Sequence, residues 1–427
     1  RRPRPPTFAV WAEQRLQPQV SATGMPSAPS RVTITAGGTQ QREHDSDADH
    51  LGVALDAEQA AKALESEAAG STDPAAAAAA HARASEQRRA ASAAYERASR
   101  LEPASAEVAY HHASYLRSFG DLLRARQMLS DAALVHAEEP AIASSLGYLL
   151  LSERGAAGAA ARRHGLQVLT RAAESGAWRG GAPWQHPVEY LSAVPPPPAG
   201  GVRPRGAYEC LLSPLEGAAA DLAAEAAAAL ERFTVQTEGI ARPQGGWREL
   251  DLFDVCGLRG GGGARSRAAR LRATCAAVRA AVETYPYVQG ALFSALAPGT
   301  ALSPHCGPTN GRMVMHVGLR VPHPGAARLR IGRPSSLDDD VQGSAPADAA
   351  VEVAWREAEG FVWDDSVCHE VVWRGGGGGG GGGGAVAATA FESGAAFARS
   401  EPRIVLLLLL LHPAMTRMPI CPALDAS

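Results

Sequence analysis

The run Ile404 to Leu411, IVLLLLLL, offers water no polar position, and it constrains the fold more than any other stretch. It is far shorter than the roughly 20 residues needed to span a bilayer, so it reads as a buried strand. Six other short β-type segments precede it: Gln289 to Leu296, Arg312 to Val321, Ala327 to Ile331, Val351 to Trp355, Gly360 to Trp363 and His369 to Trp373. Strands of this length with turn signals between them predict a small sandwich or barrel. The glycine run from Gly375 to Gly384 interrupts the set. Glycine in such number cannot pack, so a flexible loop inside this domain is expected.

Upstream the pattern changes. Residues 1–84 show no sustained period and read as a disordered or targeting leader, with Leu55 to Ala68 able to form an isolated helix. From Ser85 apolar residues recur at three and four spacing, punctuated at Pro103, Gly120-Asp121 and Pro140, which predicts a helical domain over 85–176. Two of its stretches end alike, ASRLEP and ALVHAEEP, near the roughly 34-residue period of helix-turn-helix repeats. This resembles tetratricopeptide repeats over about two units; an ordinary antiparallel bundle produces a similar pattern. Either one is a platform suited to a protein partner or a neighbouring domain. At Ala177 the composition shifts to Trp, Pro and Gly, predicting a linker that wraps the last domain, 177–427. Helices are expected over 218–233 and 266–284, with a loop at Arg259 to Gly263 between them.

At 427 residues, two ordered units are the default expectation. The formal net charge of -3 supplies no basic field for nucleic acid. An Arg-rich, acid-poor stretch through about Gly38 is compatible with a transit peptide, a processed chain or a fragment, so an organellar or secretory compartment stays open while none is assigned. The six cysteines form no CxxC pair, which argues against a zinc ribbon, although a Cys256 to Cys275 bridge fits. No phosphate-cradling glycine loop and no G-x-S-x-G elbow is present. Trp178, Trp184, Trp355, Trp363 and Trp373 read as packing residues.

Chemistry concentrates in Ala297 to Pro322, APGTALSPHCGPTNGRMVMHVGLRVP, and Phe361 to Trp373, FVWDDSVCHEVVW. His305 sits where a strand meets a turn and His369 opens a late strand. Two imidazoles on neighbouring strands can converge on one metal and leave positions open for small ligands. The chain has thirteen histidines, so spacing alone leaves turn or core histidines as the alternative.

Taken together, PGT, PHxGPTNxR, MHxGL, FxWDDSxxHEVxW, an Arg opening the late apolar strand, and HPxxT at its end resemble the aspartyl/asparaginyl β-hydroxylase family. The likeness covers about 293–416, with an upstream echo in WQHPVEYLSAVP. It implies an α+β chain in which tetratricopeptide-like helices precede a double-stranded β-helix (jelly-roll) oxygenase domain, with its core at about 286–416. It also implies Fe(II) as cofactor, 2-oxoglutarate and O2 as cosubstrates, and oxidative decarboxylation to succinate and CO2 coupled to hydroxylation. Position by position, His305 and His369 match the iron-binding histidines. Ser294, His316 and Arg403 match residues that hold 2-oxoglutarate, an arginine being apt because its fork can pair both carboxylate oxygens. Asp365 matches a catalytic-site residue ordering water or the iron site, and Arg312 a grip on an acidic substrate group. Cys306 and Cys368 each adjoin one of the histidines and read as incidental small residues.

Two positions depart from commoner patterns. Gly307 stands where most iron oxygenases of this fold carry the third, carboxylate ligand; the resembled family itself has glycine there. Val314 stands where that family usually has an arginine. The expected function is hydroxylation at the β-carbon of Asp or Asn in a peptide or protein. The alternatives are a related oxygenase acting on a lipid or small molecule, and a decayed oxygenase serving as a binding scaffold.

Overall fold

The computed structural model describes residues 49–70, 73–153, 158–236, 239–242, 246–258, 270–322, 324–340, 350–373, 394–416 and 418–421. The glycine run 375–384, the loop at 259–263 and most of the expected leader lie outside them.

Helix formation begins earlier than the sequence period suggests. Helix α1 (His50–Gly70) and the start of α2 (Pro74–Leu101) fall within the stretch expected to be a leader. Instead of an isolated helix, α1 packs on α2 through Leu51, Ala54 and Ala57 against Ala91, Tyr95 and Ala98, and the Tyr95 hydroxyl donates to Glu58 at 2.7 Å. Alanine makes up much of the interface, a residue with too little apolar contrast to mark a face in the sequence. Asp73 accepts from the Ala75 amide and Pro74 opens the helix, so the start of α2 is well capped. Four more helices follow: α3 (Ala106–Ser118), α4 (Leu122–Val135), α5 (Pro140–Leu151) and α6 (Ala159–Glu174). Ser105 and Asp121 cap α3 and α4 in the same manner. Their shared core is Ala113, Leu116, Leu129, Ile142, Leu146 and Leu150. The helices pack pairwise, as bundles and helical repeats both do.

The segment from Ala177 to Gly201 wraps the next domain through specific bonds. Asn310 accepts from the Leu191 amide at 2.8 Å and donates to its carbonyl at 3.0 Å. The Glu189 amide donates to Pro308, and the Cys368 amide to Trp184. Helices α7 (Glu209–Gly217), α8 (Ala219–Ala229), α9 (Leu252–Val255) and α10 (Arg272–Thr284) then build a layer. Glu225 of α8 caps the start of α10, accepting from the amides of Ala273 and Thr274, both at 2.9 Å. Bridges Cys210–Cys421 and Cys256–Cys275 tie this layer together, and the second is the one the cysteine spacing allowed.

The strands are β1 (Thr234–Val235), β2 (Ala241–Arg242), β3 (Trp247–Asp251), β4 (Val288–Leu296), β5 (Ala301–His305), β6 (Arg312–Arg320), β7 (Ala327–Ile331), β8 (Val351–Ala354), β9 (Gly360–Trp363), β10 (His369–Trp373) and β11 (Arg403–Leu411). One sheet runs β1-β3-β4-β11-β6-β9 and the other β2-β5-β10-β7-β8, all antiparallel. From β4 on, the chain passes back and forth between the sheets, the strand order of a jelly roll.

The uninterrupted aliphatic run in β11 now has its cause. The strand sits inside the first sheet between β4 and β6. Ile404, Leu406, Leu408 and Leu410 face the helical layer with Phe293, Met313 and Met315. Val405, Leu407 and Leu409 face the second sheet. A strand covered on both sides needs apolar residues at every position rather than at alternate ones.

Candidate active site

The pairing of β5 with β10 places His305 opposite His369. Their rings are 4.1 Å apart between centroids, inclined at 58°. In each, Nδ1 contacts the carbonyl two residues back, Ser303 at 2.7 Å and Val367 at 2.9 Å. A carbonyl only accepts, so Nδ1 carries the proton and Nε2 keeps its lone pair, the tautomer a metal requires. Burial, with His305, His316 and Arg312 nearby, holds His369 well below the ordinary imidazole range and hence neutral. Among the described residues no group of three or more His, Cys, Asp or Glu converges on one point. The donor set is therefore two imidazoles, which suits a divalent ion that leaves its remaining positions to small ligands.

Gly307 has a local reason to be glycine. A methyl at this position would overlap the Asp365 carboxylate, which occupies the space a third ligand would need. The Gly307 amide also donates to the Asp365 carbonyl at 2.6 Å. Gly307→Ala is expected to cost about 1–3 kcal/mol through this overlap. Thermal unfolding of Gly307→Ala, Asp365→Gly and the double variant checks it; additive losses instead of partial recovery in the double variant would refute the overlap.

Asp365 itself is held by Arg312, whose Nη2 donates to Oδ2 at 2.5 Å. Its other oxygen, and the Arg312 Nε, are buried without a hydrogen-bond partner. Neighbouring Asp364 is fully buried, accepts from Arg203 at 3.1 Å and receives the Ser366 hydroxyl, which in turn accepts from Gln185 at 2.9 Å. Arg203 also contacts His412 at 3.1 Å. This network locks the turn preceding His369. Arg203 lies outside every motif and was not legible as a site residue, while Gln185 and His412 fall in the WQHPVEYLSAVP and HPxxT stretches without a role assigned to them.

On the inner face of the first sheet lie Ser294 of β4, His316 of β6 and Arg403 of β11. Arg403 is 4% exposed, stacks 4.2 Å over the Trp355 ring, and leaves Nε and Nη1 without a partner. Burial lowers it to about 9, with Glu249 acting in the opposite direction. The Trp355 indole donates to His316 Nδ1 at 3.1 Å, so His316 presents a protonated Nε2. Burial, then the Arg403 charge, lowers His316 to about 3 and keeps it neutral. Ser294 Oγ accepts from Trp247 at 3.0 Å, which leaves its own proton to donate. Trp355 is thus more than packing, and Trp247 is a site neighbour that the sequence reading missed. Val314 lies on the same face two residues before His316, paired across to Trp363 inside an apolar cluster.

A cleft of about 360 Å3 opens onto His305 and Cys306, with Glu58, Lys62, Tyr110, Arg117 and Tyr148 of the helical part in its walls. Tyr148 binds His186 Nδ1 at 2.9 Å and Ser144 donates to the His186 carbonyl at 2.6 Å, joining α5 to the wrapping segment.

Four histidines share one pH consequence. His316 is lowered to about 3, and His112, His186 and His412 to about 4, burial being the first cause in each. Their folded values lie below the unfolded value near 6.5, so the unfolded chain binds protons first and stability is lost as pH falls. The stability they confer is complete above about pH 6.5 and drains toward pH 4. Urea unfolding at graded pH should show this decline; a flat profile over that window would contradict it.

Residues 218–377 match a model of the family described as aspartyl/asparaginyl beta-hydroxylase. That segment belongs to this family. It holds both histidines of the pair, His316, Arg312 and Asp365, whereas Arg403 lies beyond its end. No curated protein matches the chain. Among solved structures, a Pseudomonas putida prolyl-4-hydroxylase is 15% identical over 46% of this chain and 87% of its own, with a TM-score of 0.26. The non-heme alpha ketoglutarate dependent epimerase SnoN from nogalamycin biosynthesis is 13% identical over 49% of this chain and 84% of its own, also with a TM-score of 0.26. Likeness at that level carries no weight for site or substrate. No helix among the described residues is long and apolar enough to cross a membrane.

Proposed function

We propose that the chain is an Fe(II)- and 2-oxoglutarate-dependent dioxygenase that hydroxylates the β-carbon of an Asp or Asn side chain in a peptide or protein. The observation that carries the reading is Arg403: a buried guanidinium with two unpaired donors, adjacent to the neutral N–H of His316. An unpaired buried charge is costly, and a carboxylate is the ligand that would relieve it. His305 and His369 hold the iron. Arg403, His316 and Ser294 hold the distal carboxylate of 2-oxoglutarate. When bound, iron supplies the oxidising chemistry that couples decarboxylation of 2-oxoglutarate with O2 to hydroxyl transfer.

The protein contributes position and dryness. Trp355 and Trp363 wall off the cosubstrate pocket, and Trp363 lies edge-on to His369 at 4.5 Å. Asp365, held by Arg312, fills the position beside Gly307 and orders what binds next to the histidines. Arg312, with its free Nε, faces the substrate's acidic group. The cleft shared with the helical part is lined by charged and hydroxyl side chains, which favours a polar peptide over an acyl chain.

The test is turnover of 2-oxoglutarate to succinate with Fe(II), screened over Asp- and Asn-bearing peptides, lipids and small molecules by mass spectrometry. Peptide hydroxylation at an Asp or Asn β-carbon is the expected result. Hydroxylation of lipids or small molecules alone would replace the substrate assignment, and absence of turnover on every substrate would favour the scaffold reading.

A further inference from the structure

Cys306 and Cys368 follow and precede the paired histidines, so they stand across from each other where β5 and β10 meet. Neither is in a bridge. Cys306 shares the wall of the cleft with Tyr148 of α5. One carbonyl, that of Trp184, accepts both the Cys368 amide at 2.7 Å and the Cys306 thiol at 3.7 Å, which holds the two cysteines side by side. Cys368 is fully buried, while Cys306 is half-buried and lines the cleft. The Cys368 amide and carbonyl bond to Trp184 and Gly332, so its backbone is held in place. The chain's other four cysteines are already closed as two disulfides, and a thiol pair in the same protein meets the same oxidants.

We propose that Cys306 and Cys368 form a reversible dithiol–disulfide site, with Cys306 the entry thiol and Cys368 the resolving one. The oxidant is a small-molecule disulfide. Cys306, as thiolate, attacks one of its sulfurs, forming a mixed disulfide and releasing one small thiolate. The Cys368 sulfur then attacks Cys306, closing the protein bridge and releasing the second. Two protein thiols are oxidised and one small disulfide is reduced to two thiols, which take up the two protons. Closure ties together the strands that carry His305 and His369, one residue from each.

The full-length chain is equilibrated in graded ratios of reduced to oxidised glutathione, acid-quenched, alkylated and digested without reduction. Peptide mapping should show a Cys306–Cys368 link that rises from absent to the major form and disappears again on return to reducing buffer. Cys210–Cys421 and Cys256–Cys275 should stay closed throughout. In Cys368→Ser the mixed disulfide should accumulate on Cys306; in Cys306→Ser, Cys368 should stay unmodified until the chain is unfolded. The proposal is overturned if the native protein keeps both thiols alkylatable in the most oxidising buffer, or if glutathione stays on Cys306 without transfer. Equal modification of Cys368 in Cys306→Ser would overturn the assigned order.

Discussion

Replacing His369 or His305 by Ala is expected to abolish Fe(II)-dependent succinate formation. In the proposed site each histidine would be half of the protein's grip on the ion, because Gly307 supplies no third ligand and Asp365 fills the space such a ligand would use. Loss of an outer partner of a ligand commonly costs about 10–100-fold in metal affinity, so loss of a ligand itself should exceed that. Metal binding by calorimetry provides a readout independent of turnover. His369→Asn keeps a polar side chain of similar size and controls for folding, since His369 packs edge-on against Trp363. Wild-type metal affinity and succinate yield in either alanine variant would rule out this pair as the iron site.

Arg403→Met should separate stability from binding. The guanidinium is buried, is stacked on Trp355, and leaves Nε and Nη1 unpaired. Removing it deletes an uncompensated buried charge while methionine retains much of the packing, so unfolding free energy should stay level or rise. Cosubstrate binding should move the opposite way. Two charge-assisted hydrogen bonds at about 1.5–3 kcal/mol each correspond to a rise in KM for 2-oxoglutarate of at least about 100-fold. Lysine restores charge without the fork and should recover only part of it. Lost stability with unchanged KM would make Arg403 a structural arginine.

Much of the fold was legible because its signals are local. Seven strands were placed to within a residue or two, since β-branched and aromatic runs between turns depend on neighbours in sequence. Strand β5 was legible only as a strand end at His305, without bounds: ALSPH contains a proline and two polar residues, and its pairing with β10 supplies what the sequence pattern lacks. Helix α1 was missed as a packed element because its contacts are alanines. The Cys210–Cys421 bridge spans 211 residues, a separation at which nothing in the sequence links the two positions.

The site divides in the same way. Sequence alone nominated the candidates, since His305, His316, His369, Asp365 and Arg403 sit in motifs with distinctive neighbours. It left open what surrounds them. Only tertiary structure decided that Asp365 belongs to Arg312 and crowds Gly307, that Trp355 sets the proton on His316 and lies beneath Arg403, and that two thiols meet behind the histidine pair. The physical reason is that a motif fixes which groups a short stretch can offer. Desolvation, tautomer and unmet hydrogen bonds are set by whatever distant strands bring alongside, and here these are β4, β6 and β11 on one sheet facing β5 and β10 on the other.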